Sequence, residues 1–175
     1  MEQIFYSKEE TVEWLMNEYG KMIVRLAFTY LKQEQLAEDV AQEVFIKCYQ
    51  KLDTFRNESS YKTWLYSITV NLCKDRLRSW SFRNIVINNY LSNSSISKKT
   101  PESDLMDIES RRELSQLVLE LPVKYREVII FFYYEELTYQ QITQLLGISD
   151  QTLKSRLYRG RNLLRKKLEG GRSND

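Results

Sequence analysis

The segment from residue 138 to residue 168, TYQQITQLLGISDQTLKSRLYRGRNLLRKKL, has the pattern of a short helix, a tight turn and a longer helix. Thr138, followed three residues later by Gln141, is typical of a capping box at a helix start. Gly147 suits the left-handed backbone conformation with which many helices end, and Ser149 suits the N-cap of the next helix. The segment therefore predicts a helix-turn-helix.

The longer helix separates an apolar stripe from a basic surface. Four leucines recur on one face: Leu153, Leu157, Leu164 and Leu168. Cationic and hydrogen-bonding side chains lie on the other faces: Lys154, Ser155, Tyr158, Arg159, Arg161 and Arg165. Lys and Arg can neutralise DNA phosphates, and Arg can also read guanine edges. The turn, the cap and the basic side chains together predict a DNA-binding helix, whereas a charge run alone would favour a solvated basic face.

Helical periodicity also extends through the first 80 residues. Ser7 and Glu10 are typical of a capping box that starts a first helix. A second helix is predicted from about residue 35 to residue 52 and a third from about 61 to 80, with a polar break between them.

A change of composition divides the chain after this first set of helices. The segment 81–107 is rich in Asn and Ser, carries Pro101 and shows no sustained period, which favours a flexible linker. Helices resume at about residue 108, break at Pro122 and continue from about 124 to 134. We therefore expect an all-α fold of two small helical domains, 1–80 and 108–170. The second is a helix-turn-helix domain of winged-helix-like or homeodomain-like form.

The composition argues against catalysis and against a metal or cofactor site. The chain of 175 residues contains no histidine, which removes the commonest general base and most zinc or iron sites. Cys48 and Cys73 form no CxxC pair, and we expect both to be reduced core residues. Because the sequence also lacks a nucleophile–base pair and a Gly-rich phosphate loop, we expect neither an enzyme nor a cofactor.

Charge is unevenly distributed, although the formal net charge is only +2. The stretch 154–167 carries no acid among its many bases, and the stretch 34–43 carries acids and no base. This segregation predicts two different partners, one of them polyanionic. The opening MEQIFYSKEE lacks a basic region followed by an apolar run, and no apolar stretch is long enough to cross a bilayer. We therefore expect neither a signal peptide nor membrane insertion.

Residues 120–168 resemble region 4 of the extracytoplasmic-function (ECF) sigma factors, a branch of the sigma-70 family. That family commonly shows a leucine-proline pair before a helix, a tyrosine-bearing capping box and a recognition helix with a Lys-Ser-Arg core. These features stand here as Leu121-Pro122, Thr138-Tyr139 and Lys154-Ser155-Arg156. The resemblance implies that this domain reads the −35 promoter element through Lys154, Ser155, Arg156, Tyr158 and Arg159. Gln151 and Gly160 replace a frequent glycine and a frequent alanine, and we expect Gly160 to soften the helix by up to about 1 kcal/mol.

The stretch AEDVAQEVF, residues 37–45, is similar to the core of sigma region 2. From the residues alone, Asp39, Gln42 and Glu43 share one side of the helix, and a plain solvated face is an alternative interpretation of that side. A helical di-metal site is not expected, because such sites pair Glu with His. The resemblance implies that these three residues dock on the β′ clamp helices of RNA polymerase.

The stretch FRNESSYKTWLYSITVNLCKDRLR, residues 55–78, interleaves aromatic and basic side chains. Such a pattern suits single-stranded DNA, where bases stack and phosphates pair with cations, although a core position is the preferred interpretation for Trp64. The stretch resembles sigma regions 2.3 and 2.4, which open and read the −10 element. The implied contacts are Ser60, Tyr61, Lys62 and Asn71.

The two resemblances together imply a sigma factor that directs promoter recognition, DNA melting and transcription initiation for a stress or envelope-response regulon. Its implied partners are core RNA polymerase, through the β′ clamp helices and the β flap, promoter DNA and an anti-sigma factor. The two resemblances also imply a cytoplasmic protein. An anti-sigma factor, which in this family is often membrane-bound, would hold it inactive. The alternative is a stand-alone helix-turn-helix regulator, which needs no acidic helix and should dimerise on a palindromic site.

Overall fold

A computed structural model of the protein describes residues 7–55, 59–79 and 105–171, and every regular element in these ranges is helical. This confirms the predicted all-α fold. The predicted linker, 81–107, falls largely outside the described residues. The elements are α1 (Lys8–Leu31), α2 (Glu34–Lys51), a 3-10 turn (Leu52–Thr54), α3 (Tyr61–Arg78), α4 (Leu105–Glu120), α5 (Val123–Ile129), a π-helix (Ile130–Tyr134), α6 (Tyr139–Leu146) and α7 (Asp150–Gly171).

The described helices fall into two compact units. One contains α1, α2 and α3 together with nearly all of α6, and the other contains α4, α5, the π-helix and α7. The domain boundaries expected from the sequence, 1–80 and 108–170, stay a prediction. None of the described helices has the length and apolar character that a membrane span requires.

The first unit is built on the apolar faces of α1, α2 and α3. The Ser7 hydroxyl accepts a hydrogen bond from the Glu10 backbone N–H at 3.1 Å, which confirms the predicted helix start. The core comprises Leu15, Ile23, Leu26, Val40, Val44, Leu65 and Tyr66. Cys48 and Cys73 are fully buried free thiols, as expected. Burial raises the pKa of the Cys48 thiol to about 11 and that of Cys73 to about 12, so both remain protonated at neutral pH.

The second unit turns a corner at Pro122, where the sequence predicts a break. The Arg126 side chain is buried and donates two hydrogen bonds to the Leu121 carbonyl, at 2.8 and 3.1 Å. This carbonyl lies just past the end of α4, where backbone acceptors lack helical partners, so the buried guanidinium stabilises the corner. The helix predicted over 124–134 is present, but its second half is a π-helix that ends with a Glu135 N–H to Ile130 carbonyl bond of 3.0 Å.

The turn between α6 and α7 follows the predicted chemistry closely. Gly147 has a φ of 65°, in the left-handed region, and the Ile148 N–H donates to the Thr143 carbonyl at 3.1 Å. The Ser149 hydroxyl then accepts from the Thr152 backbone N–H at 3.2 Å and caps α7.

We predict that Gly147→Ala lowers the free energy of unfolding by about 1 kcal/mol, because an L-residue is strained at this positive φ. Apart from its chain neighbours, no atom lies within 4 Å of the added Cβ, so the cost comes from the backbone. Gly20 in α1 offers a matched control with equally open surroundings. Gly20→Ala should stabilise the same protein by about 0.5–1 kcal/mol. Urea unfolding followed by circular dichroism distinguishes the predicted decrease in unfolding free energy from the predicted increase. A decrease in both variants would contradict a specific requirement for positive φ at Gly147.

Gly160 lies in the middle of α7 and is buried against α5. A Cβ at this position would lie 3.1 Å from Ile129 Cγ1 and 3.6 Å from Tyr125 Cβ. The sequence predicts only a softer helix at this glycine. The structure adds a packing reason, since the absent side chain lets α5 and α7 approach closely.

Candidate nucleic-acid and protein interfaces

The first turns of α7 present a polar and basic surface. Lys154, Ser155, Tyr158 and Arg159 are exposed, and Tyr158 shows 62% of its surface. Leu153 and Leu157 are buried on the opposite side, which confirms the predicted stripe at these two positions. Leu164 and Leu168 are only partly buried. A helix with one buried face and exposed bases on the other can enter a major groove.

Arg156 differs from its neighbours because it forms an ion pair inside the second unit. Its Nη1 donates to Glu127 Oε1 at 3.0 Å, and the Glu127 side chain is only 3% exposed. The Arg156 side chain is 25% exposed. Sequence reasoning grouped Arg156 with the DNA contacts and missed Glu127. The available signal was a carboxylate inside the apolar run 127–132, EVIIFF, where an unpaired charge would be costly.

A groove of about 380 Å³ lies beside the basic surface of α7 and extends onto α5. It is lined by Lys124, Tyr125, Gln151, Thr152, Ser155, Arg156 and Arg159. Contact with the Arg159 guanidinium lowers the pKa of the Tyr125 phenol. The Lys124 ammonium lies over the Tyr125 ring, 5.1 Å from its centroid. Sequence reasoning missed Lys124 and Tyr125, because nothing local indicates that α5 lies against α7.

The predicted acidic surface lies on α2. Gln42 is exposed, and Asp39 and Glu43 are half-buried. Glu43 Oε2 accepts from Arg76 Nη2 at 3.1 Å, and Lys47 Nζ lies 3.9 Å from Glu43 Oε1. The first contact ties the acidic surface to α3.

An apolar side chain that the sequence reasoning missed lies on the same surface of α2. Ile46 is 58% exposed and falls four residues after Gln42 and seven after Asp39, so the three share one helix face. The face therefore offers carboxylates, an amide and an aliphatic group, the mixture found where protein interfaces combine polar contacts with apolar burial.

The start of α3 carries an aromatic cluster. The Tyr61 ring stacks on Phe55 with centroids 4.7 Å apart, and it also meets the Trp14 ring edge to face at 6.1 Å. Trp64 lies 4.8 Å from the Phe55 ring and is half-buried, so it belongs neither fully to the core nor to the surface. The sequence reasoning missed Phe55 and Trp14 as members of this cluster.

The other residues predicted to contact the −10 element have different environments. The Ser60 hydroxyl accepts from the Thr63 backbone N–H at 3.2 Å, so it caps α3. The Lys62 ammonium lies 5.5 Å from the Tyr66 ring centroid. Asn71 is exposed and lies ten residues after Tyr61, about 15 Å along the helix. The structure thus brings Ser60, Tyr61 and Lys62 together and leaves Asn71 further along α3.

Comparison with known proteins identifies the family. The chain matches Sigma-70 region 2 over residues 15–82 and Sigma-70 region 4 over residues 111–164. The ECF RNA polymerase sigma factor SigW of Bacillus subtilis is 31% identical over 96% of this chain and 94% of its own length. The ECF RNA polymerase sigma-E factor of Haemophilus influenzae is 26% identical over 97% of this chain and 93% of its own.

Solved structures show the same fold. The sigma factor RpoE in complex with the anti-sigma factor NepR from Bartonella quintana matches with a TM-score of 0.70 and 23% identity. The match covers 91% of this chain and 98% of that one. The chain belongs to the ECF sigma factors of the sigma-70 family. It directs transcription initiation, with core RNA polymerase and promoter DNA as its partners.

Proposed function

We propose that the chain performs this role through three separate surfaces. The face of α2 with Asp39, Gln42 and Glu43 docks on the β′ clamp helices of polymerase. The start of α3, with Ser60, Tyr61 and Lys62, and Asn71 further along, meets the opened −10 element. The start of α7 meets the −35 element through Lys154, Ser155, Tyr158 and Arg159. Arg156, which is paired with Glu127, also contacts this element from beside them.

The observation that supports this assignment most strongly is the opposite character of two exposed helix faces. The first turns of α7 present bases and hydrogen-bonding groups around a buried leucine stripe, as a polyanionic partner requires. The face of α2 presents acids, an amide and the exposed Ile46, as a protein partner with cations requires. A regulator that acts on DNA alone has no use for the second face.

The tyrosine at the start of α3 supports the −10 assignment. Its ring contacts Phe55 and Trp14, and Lys62 follows it directly in the sequence. Aromatic faces beside a cation favour an unpaired base next to a phosphate, because stacking is tolerant of sequence and the cation binds the backbone. The Ser60 hydroxyl serves this arrangement by fixing where α3 begins.

The sequence relationship also supports regulation by a protein partner and action without catalysis. The RpoE structure with the same fold was solved in complex with the anti-sigma factor NepR. By analogy, an anti-sigma factor holds this chain inactive in the cytoplasm, at the membrane where that partner is anchored there, until a stress or envelope signal releases it. The chain then acts by binding alone, and polymerase supplies the chemistry.

Reconstituted transcription tests the proposed function. Purified protein is mixed with sigma-free core polymerase and genomic DNA fragments, and transcript 5′ ends are sequenced. We expect discrete starts that share two spaced upstream elements. DNA binding by the protein without any starts would instead support the stand-alone regulator and leave the acidic face of α2 without a role.

A further inference from the structure

The groove between α5 and α7 gathers positive charge from two helices. Lys124 comes from the first turn of α5 and Arg159 from the third turn of α7, and both line the same groove of about 380 Å³. The guanidinium of Arg156 also lines it, but the Glu127 carboxylate at 3.0 Å balances that charge. None of the seven described side chains that line the groove is acidic. Its net charge therefore comes from Lys124 and Arg159.

The groove also holds its two cations in place. The Tyr125 ring lies beneath the Lys124 ammonium, and contact with Arg159 lowers the pKa of the Tyr125 phenol. Tyr125 thus contacts both cations. The close approach of α5 and α7 at Gly160 and the ion pair of Arg156 fix the walls.

The remaining lining groups match a phosphate. Gln151, Thr152 and Ser155 supply an amide and two hydroxyls next to the cations. Arg and Lys with hydroxyl and amide donors are the groups that contact phosphate oxygens in protein–DNA complexes. The groove also adjoins the exposed face of α7, where Lys154 and Tyr158 project into solvent. A strand whose bases meet that face therefore carries a phosphate close to the groove.

We propose that this groove binds one backbone phosphate of the promoter duplex, with Lys124 and Arg159 as its cations. The inference rests on the proposed −35 role of α7 and extends that interface to α5. The proposal also separates the exposed residues of α7 that bind the DNA backbone from those that read bases. Arg159 holds the DNA backbone, whereas base reading falls to side chains that project away from the groove, such as Lys154 and Tyr158.

Salt titrations of DNA binding test the proposal. The dissociation constant for a duplex that carries the upstream element is measured against salt concentration, for the full chain alone and for its complex with core polymerase. Lys124→Ala and Arg159→Ala should each weaken binding about fivefold near 0.15 M salt and flatten the log–log slope by about 0.9. The losses should be equal on promoter and scrambled duplexes, because phosphates carry no sequence. Lys21→Ala, an exposed lysine of α1, is the control and should change neither quantity.

Neutral methylphosphonate linkages, placed one at a time along the duplex, identify the phosphate. One methylphosphonate position should reproduce the loss of DNA affinity caused by Lys124→Ala. The neutral linkage and Lys124→Ala together should weaken binding no more than either change alone. Unchanged affinity and slope in Lys124→Ala, no measurable DNA binding by either form, or losses confined to the promoter sequence would each overturn the proposal. Binding of millimolar inorganic phosphate that Lys124→Ala abolishes, without an effect on DNA, would assign the groove to a small anion and also overturn it.

The same data separate this inference from the function on which it rests. If transcription fails but the slope on scrambled duplex falls in Lys124→Ala, the groove binds phosphate and the sigma-factor assignment is at fault. If transcription succeeds and the slope is unchanged, the assignment stands and the groove has no part in it.

Discussion

Arg156→Ala is expected to lower the free energy of unfolding of this sigma factor by about 3 kcal/mol. The substitution leaves the Glu127 carboxylate, which is 3% exposed, without the guanidinium that lies 3.0 Å away. Removing one partner of a buried ion pair typically costs about 3–5 kcal/mol. The partial exposure of Arg156 and the other interactions of Glu127 place the cost at the lower end. Denaturant unfolding followed by circular dichroism measures the change.

Two further variants separate this structural role from DNA contact. Lys154→Ala removes an exposed base two residues earlier on α7 and should leave stability within about 0.5 kcal/mol. Glu127→Gln combined with Arg156→Ala should recover part of the lost stability, since the side chain that lost the guanidinium is then neutral. If Arg156→Ala unfolds like the parent and alters only the preferred DNA sequence, then Arg156 reads bases and the ion pair is incidental.

Reversing the charge of the α2 face, with Asp39→Lys and Glu43→Lys together, is expected to weaken binding to core polymerase at least tenfold. Like charges across an interface cost several kcal/mol, and 1.4 kcal/mol already corresponds to a factor of ten. The same double variant also gives up the 3.1 Å contact with Arg76, so its helical content is checked by circular dichroism. Binding of the upstream duplex by α7 should survive. Affinity is measured by titrating core polymerase against the labelled protein.

Glu34→Lys with Glu38→Lys is the matched control for this experiment. Both acids are exposed on the same helix, and the formal change in net charge is identical. If the two double variants lose polymerase affinity equally, attraction over a distance accounts for the effect and the particular face does not. If neither loses affinity, the acidic side of α2 is a solvated surface.

The features that the sequence predicts well are those that depend on neighbouring residues. Ser7 and Ser149 start helices because a hydroxyl satisfies an N–H three residues ahead. Gly147 ends a helix because only its own backbone must adopt a positive φ. These signals lie within a few residues of one another, so they can be read without knowledge of the fold.

The features that the sequence reasoning missed depend on contacts between distant segments. Glu127 and Arg156 are 29 residues apart, and Glu43 and Arg76 are 33 apart. Which arginine of a basic helix faces inward depends on where a buried acid lies on another helix. For the same reason, Arg156 looked like its exposed neighbours from sequence alone, and the groove beside Arg159 was not foreseen.

The missing side chain at Gly160 limits how this protein can be re-engineered to recognise other promoters. Transplanting the equivalent of α7 from another family member is a route to a new DNA specificity, and alanine, the residue that the sequence resemblance implies here, would add a methyl group. That methyl group would lie 3.1 Å from Ile129 Cγ1, so a donor helix would dock slightly displaced from its host. Successful chimeras should therefore keep the glycine at this position.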